Sequence, residues 1–104
     1  MSKLQNKIAV ITGGGSGIGR AISLLFAEEG AEVHILDLNT DGGLAVVSEI
    51  ESKGGKAIVH GCNVSVQEEV VQIINSIGRV DILVNNAGIA HVGNLEKCAT
   101  EDFE

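Results

Sequence analysis

Two groups of residues in this chain have the types and the spacing to do chemistry. The first is the run Thr12-Gly13-Gly14-Gly15-Ser16-Gly17-Ile18-Gly19. Glycines let a backbone turn tightly and come close to a ligand, and a helix that starts there adds N–H donors and a positive dipole end suited to phosphate. The second is Asp37, 18 positions after Gly19. That is close to the offset of roughly 20 residues at which an acid holds ribose hydroxyls in dinucleotide-binding folds. Competing phosphate loops can be weighed directly. Gly14 and Gly19 have the glycine spacing of a P-loop, but Arg20-Ala21 stands where Lys-Ser/Thr is required. A methyltransferase-like loop also joins glycines to an acid after the second strand, and it stays open at this point.

Other reactive residue types are poorly placed. Ser16 and Ser65 have no base near them in sequence to make either a nucleophile. His34, His60 and His91 are scattered, and Cys62 and Cys98 lack CxxC spacing, so no metal site is expected and the thiols read as idle. His91 reads as a surface residue. Arg20 faces either phosphate or solvent. The chain contains no Tyr, which rules out any mechanism within it that needs a phenol.

The elements that must carry these residues fit in 104 positions, one small domain. Hydrophobic residues at 44% and charged residues at 20% are a globular composition. With two Phe and no Trp or Tyr, the core must be built from Val, Ile, Leu and Ala. A net charge of −7 argues against nucleic-acid or anionic-membrane partners. Any bound phosphate must therefore be held by backbone N–H groups. The first residues lack the apolar run of a signal peptide, and no stretch approaches the roughly 20 apolar residues of a membrane span, so a cytoplasmic protein is expected.

Hydrophobic periodicity predicts alternating strands and helices. Ile8 to Thr12 is an apolar strand that runs into the glycines. Ile18, Ile22, Leu25 and Phe26 make a helical stripe, capped by Gly30. Val33 to Leu36 is a second strand, closing on Asp37. Leu44, Val47 and Ile50 mark a helix that stops at Gly54-Gly55, and Ala57 to Cys62 is a third strand. Ser65-Val66-Gln67-Glu68 reads as a capping box, with Ser65 as N-cap and Glu68 reaching back. It opens a helix carrying Val70, Ile73, Ile74 and Ile77 that ends at Gly78. Val80 to Val84 is the fourth strand, and Thr100 caps a further helix start. Units of 25 to 30 residues imply right-handed crossovers and a parallel sheet. The fold class is therefore α/β, a doubly wound, Rossmann-like sheet of four strands with intervening helices.

Thr-Gly-x-x-x-Gly-Ile-Gly at positions 12 to 19, with Asn-Asn-Ala-Gly at 85 to 88, resembles the short-chain dehydrogenase/reductase family. The similarity runs from Lys7 to Glu104. It implies that Gly13, Gly17 and Gly19 line a pyrophosphate turn, with Ser16 and Ile18 in the same loop near the cofactor. Asp37 would hold the adenosine ribose, with Leu38 beside it. Asn63-Val64 would border the adenine, and Asn86, Ala87 and Gly88 would pass along the cofactor and brace the sheet. The resemblance implies an oxidoreductase moving hydride between NAD(H) and a carbonyl or secondary alcohol, as a homo-oligomer. NAD is expected over NADP, because Ser16 and Leu38 are neutral where NADP-preferring members carry a base.

Against a methyltransferase, the first strand ends in Thr12-Gly13 rather than an acid, and Asn-Asn-Ala-Gly has no role there. A non-catalytic dinucleotide-binding module is the alternative. Asn63 stands where the family has Asp, and the segment from Ser65 to Gly78 implies a short third helix. The family's catalytic Ser, Tyr-x-x-x-Lys and Asn would lie beyond Glu104. Residues 1–104 thus read as a dinucleotide-binding domain incomplete at its C-terminus, with no catalytic residue and no activity of its own. The strand from Val80 to Val84 would then be a bare edge prone to self-association.

Overall fold

A computed structural model describes residues 3–15 and 17–86. Strands and helices alternate in the order β1 (Ile8–Thr12), α1 (Gly17–Glu28), β2 (Glu32–Asp37), α2 (Thr40–Ser52), β3 (Lys56–Gly61), α3 (Gln67–Ile77) and β4 (Ile82–Asn85). All strand pairs are parallel, and the sheet order is β3-β2-β1-β4. This is the expected doubly wound sheet. The expected helix start at Thr100 lies outside the described residues. Among the described residues no helix is long and apolar enough to cross a membrane.

Two apolar layers hold the sheet. On one face Ala9, Ile11, Val33, Ile35 and Ala57 meet Val46 and Ile50 of α2, with Ile22 and Phe26 of α1 packed against them. On the other face Val10, Leu36 and Cys62 meet Val70, Ile73 and Ile77 of α3. Central strands buried on both faces read as largely apolar runs, which makes Ile8 to Thr12 and Val33 to Leu36 legible as strands although His34 interrupts the second. β4 begins two residues later than the expected Val80. The lead-in residue Asp81 is occupied instead in clasping β1: its carboxylate accepts from the Ile8 N–H at 2.8 Å and from Arg79 Nε at 3.1 Å. The Ile8 N–H, reinforced by Arg79, holds that carboxyl below the usual carboxylate range.

The helix faces differ from the apolar stripes of the sequence. In α1 the fully buried residues are Gly19 and Ser23, while Ile18 is 72% and Leu25 53% exposed. In α2 they are Gly43, Val46 and Ile50, while Leu44 is 53% exposed. Small residues turn inward because both helices approach the sheet very closely. A Cβ on Gly43 would collide with Val59 Cγ2 on β3.

The expected capping box at Ser65 does not form. Asn63 Oδ1 takes both the Ser65 N–H, at 3.1 Å, and the Ser65 hydroxyl, at 2.6 Å. With its oxygen committed to that turn, Ser65 lies outside α3, whose N-cap is Val66 without a side-chain bond. The acid that reaches back is Glu69 rather than Glu68, accepting from the Asn63 N–H at 3.0 Å. The third helix has 11 residues, against 12 in α1 and 13 in α2.

The Gly43 contact is directly testable. Gly43→Ala is expected to cost about 1–3 kcal/mol through overpacking, although Ala is normally the better helix former by about 1 kcal/mol. Adding Val59→Ala removes the obstructing branch and should recover much of that loss in urea denaturation. A neutral or stabilising Gly43→Ala would show that α2 is free to move off the sheet.

Candidate functional site

β1 is flanked by β2, reached through α1, and by β4, reached from the far edge through α3. At such a reversal of strand order the loops leave a crevice at the carboxyl ends of the strands, where ligands of open α/β sheets bind. Thr12 pairs with Asn85 at the mouth of that crevice. The Thr12 hydroxyl donates to Asn85 Oδ1 at 3.1 Å, tying the two strand ends together.

The glycine run turns from β1 into α1 above this point. Gly13 donates its N–H to Leu36 O at 2.7 Å and then turns with φ +69°. Gly17 turns again with φ +58°, and the direction a Cβ would take there meets none of the described residues within 4 Å. That open cradle, at the first residue of α1, is where a ligand group can approach the backbone. Gly19 serves the opposite purpose: a Cβ there would overlap the Gly13 carbonyl oxygen. Asn86 Nδ2 donates to the same oxygen at 3.3 Å, so the two motif segments that the sequence keeps about 70 residues apart meet at one carbonyl.

Asp37 closes the other side. Its Oδ2 accepts from the Gly15 N–H at 3.3 Å and its Oδ1 from the Asn39 N–H at 2.9 Å. A carboxylate has about four acceptor positions, so two remain for a ligand's hydroxyls. Asn39 also caps α2, accepting from the Gly42 N–H at 3.2 Å. The start of α2 is thereby held against Gly15, where a Cβ would lie 2.8 Å from the Gly43 nitrogen.

The remaining expected residues divide. Leu38 is 71% exposed and, like Ile18, leaves an apolar side chain uncovered at this edge. The end of β3 is joined to Asp37 by the Cys62 N–H donating to Asp37 O at 3.2 Å, which places Asn63 one residue farther along. Because Asn63 Oδ1 is taken up by Ser65, its amide group offers donors rather than the acceptor an Asp would present. Val64 packs on the core beside α3. Arg20 is turned away from the loop to Glu49 on α2, at 2.6 Å. Ser16, Ala87, Gly88, His91 and Cys98 lie outside the described residues.

Sequence reasoning missed two features. Ser23, fully buried, bonds the Gly19 carbonyl at 2.8 Å and lies 3.3 Å from that of Gly14, bracing the loop from beneath. Its only signal was one hydroxyl inside an apolar helical run. His34 and His60, read as scattered, are in fact partners: Nδ1 of His34 lies 2.9 Å from Nε2 of His60. Adjacent parallel strands bring together residues 26 apart in sequence. Among the described residues no three His, Cys, Asp or Glu side chains group closely enough to hold a metal. The Cys62 thiol is buried and free, pushed up in pKa by burial and then by Glu69.

Comparison with known proteins agrees with this geometry. The family model described as short chain dehydrogenase matches residues 7–104. An uncharacterized oxidoreductase of Thermotoga maritima is 44% identical over 102 residues, covering 96% of this chain and 41% of that protein. The 7alpha-hydroxysteroid dehydrogenase of Escherichia coli is 43% identical over 90 residues, covering 83% of this chain and 35% of that one. A solved 7 alpha-hydroxysteroid dehydrogenase, complexed with NADH and 7-oxo glycochenodeoxycholic acid, superposes with a TM-score of 0.73 at 42% identity, over 79% of this chain and 34% of that one. The chain thus spans about two-fifths of the length of the curated relatives it matches.

The Asn86 bond to Gly13 generates a test of the loop itself. Asn86→Asp replaces a donor with a carboxylate aimed at a carbonyl oxygen. A loss of about 1 kcal/mol is expected at neutral pH. It should shrink as pH falls through the new carboxyl's pKa, because the protonated acid donates again. A loss independent of pH in denaturation between pH 7 and pH 3 would contradict this role.

Proposed function

The chain belongs to the short-chain dehydrogenase family, and we propose that it is the part of such an enzyme that binds NAD(H). The whole protein would move a hydride between that cofactor and a carbonyl or secondary alcohol. One observation carries the reading. The open backbone at Gly17 and the Asp37 carboxylate stand on the same sheet edge, bridged by the Gly15 N–H donating to Asp37 at 3.3 Å.

The residues present fit a dinucleotide. Its pyrophosphate would lie against Gly13, Ser16 and Gly17, held by backbone N–H groups and the positive end of α1. This is the means open to a chain of net charge −7 whose Arg20, next to the loop in sequence, is engaged with Glu49. Asp37 would accept from both adenosine ribose hydroxyls, with Ile18 and Leu38 flanking the nucleoside. Asn63 and Val64 would border the base, and Asn86, Ala87 and Gly88 would follow the cofactor toward the nicotinamide. When bound, the group supplies or accepts the hydride. This chain's own residues bind and orient it. The general acid/base for the substrate oxygen would come from the rest of the protein, since no Tyr occurs here. The substrate, a small carbonyl or alcohol, would be chosen there too.

Asp37 also supports NAD over NADP. A 2′-phosphate beside it would set like charges about 4 Å apart, worth about 4 kcal/mol at an effective dielectric near 20 before screening. NAD is therefore expected to bind the full-length protein at least tenfold more tightly, or about 1.4 kcal/mol. Asp37→Ala should narrow that ratio by removing the ribose acceptor and the repulsion together. Calorimetry at fixed salt decides it, and equal or tighter NADP binding would refute the assignment. Gly19→Ala, which must push the Gly13 carbonyl away, is expected to weaken both cofactors at least tenfold without altering their ratio. An unchanged affinity would remove this loop from the binding site.

A further inference from the structure

On the sheet face covered by α3, Glu32, His34 and His60 form a continuous polar chain that the site does not use. β2 and β3 run in parallel register, with Glu32 beside Lys56, His34 beside Ile58 and Leu36 beside His60. His34 is only 5% exposed. Its Nε2 lies 2.8 Å from Glu32 Oε2, and its Nδ1 lies 2.9 Å from His60 Nε2. The two rings are nearly parallel, inclined by 18° with centroids 5.2 Å apart. We propose that this chain is a proton-limited latch fastening the outer strand β3 to β2, which holds with no more than one added proton and opens when acid supplies a second.

Proton bookkeeping forces that limit. An ionised Glu32 only accepts, so His34 Nε2 must carry a hydrogen. In a neutral His34 ring Nδ1 is then bare, and His60 Nε2–H donates to it. One added proton can be accommodated on His34 if His60 shifts its own hydrogen to Nδ1, so that the bond reverses and His34 Nδ1–H donates. A second proton leaves an N–H on each side of the 2.9 Å contact. The bond is then lost and two cations face each other. Consistent with this, burial first and the His34 charge second lower the pKa of His60 from its ordinary 6.5.

Among the described residues no acid forms an ion pair with His60. Glu32 already serves His34 and stands opposite Lys56, itself a cation. β1 presents Val10 opposite His34. The charged residues of α3 are Glu68 and Glu69, and Glu69 is bonded to the Asn63 N–H. An unconstrained histidine has an ordinary value of about 6.5, so the open pair can bind two protons where the closed pair binds at most one. The latch is thus fully effective above that pH. Below it, the equilibrium constant for opening should rise about tenfold per pH unit.

The test uses the full-length protein without ligand, so its outcome is independent of the cofactor assignment. Amide hydrogen exchange, corrected for intrinsic pH dependence, is compared at β3 and β1 between pH 7.5 and pH 5.5. Protection of the Ile58 to His60 amides is expected to fall about tenfold more than that of Val10 and Ile11. In His60→Gln, which cannot take the proton, that excess should vanish. Equal losses in the two strands, or an excess retained in His60→Gln, would overturn the proposal. Ring-proton NMR titration of the unmodified protein decides independently if that variant fails to fold. One histidine of the pair should titrate clearly below 6.5, and two independent titrations at the ordinary value would overturn the latch.

Discussion

The contact on which this architecture depends is the approach of Gly19 to the Gly13 carbonyl oxygen, too close to admit a Cβ. It sets α1 tight against the end of β1, and nearby residues then follow. Ser23, one turn on, is fully buried beneath the loop and bonds Gly19 from below. Bulky neighbours are displaced to the flanks, so Ile22 and Phe26 pack on the sheet while Ile18 and Leu25 remain largely exposed. The same carbonyl receives the Asn86 amide, which extends the constraint across the crevice to the end of β4. A single missing methyl thus fixes the mouth of the site, the angle of the helix and the meeting of two distant segments.

For a chain of net charge −7, the proposed binding of a phosphate-bearing cofactor poses an electrostatic problem that the backbone would resolve locally. Among the described residues neither arginine serves the loop: Arg20 is occupied by Glu49, and Arg79 lies at the other end of the strands beside Asp81. What remains is the set of N–H groups at the start of α1, whose partial charges are oriented in advance. Asp37 both completes the loop, by accepting from Gly15, and would bring like charge against any additional phosphate. One carboxylate thus shapes the loop and, in the proposed function, would discriminate between cofactors.

The two faces of the sheet are built differently. The face toward α1 and α2 is packed through glycines and aliphatic side chains at very short range. The face toward α3 includes the buried His34, opposite Val10 on β1 and bonded to the half-buried His60 and to Glu32. Among the described residues no buried side-chain polar atom lacks a partner, so the polar chain is compatible with a well-formed core.

The sequence alone determined the class of this protein. Short, largely apolar runs at Ile8 to Thr12 and Val33 to Leu36, alternating with helical stretches, read as buried strands of a parallel sheet. Glycine spacing and the offset to Asp37 located the loop and its partner, because those signals are local and set by backbone sterics. Tertiary structure decided what depends on neighbours distant in sequence. Periodicity offered Ile18, Leu25 and Leu44 as inward residues, but close helix–sheet approach selected Gly19, Ser23 and Gly43 instead. Ser65 had the composition of a cap, and Asn63 claimed its hydroxyl first. His34 and His60 became a pair only when parallel register brought β2 beside β3. Spacing along a chain encodes which side of an element a residue occupies. Which atoms it touches is settled by the distance at which elements pack, and that distance is a property of the assembled fold.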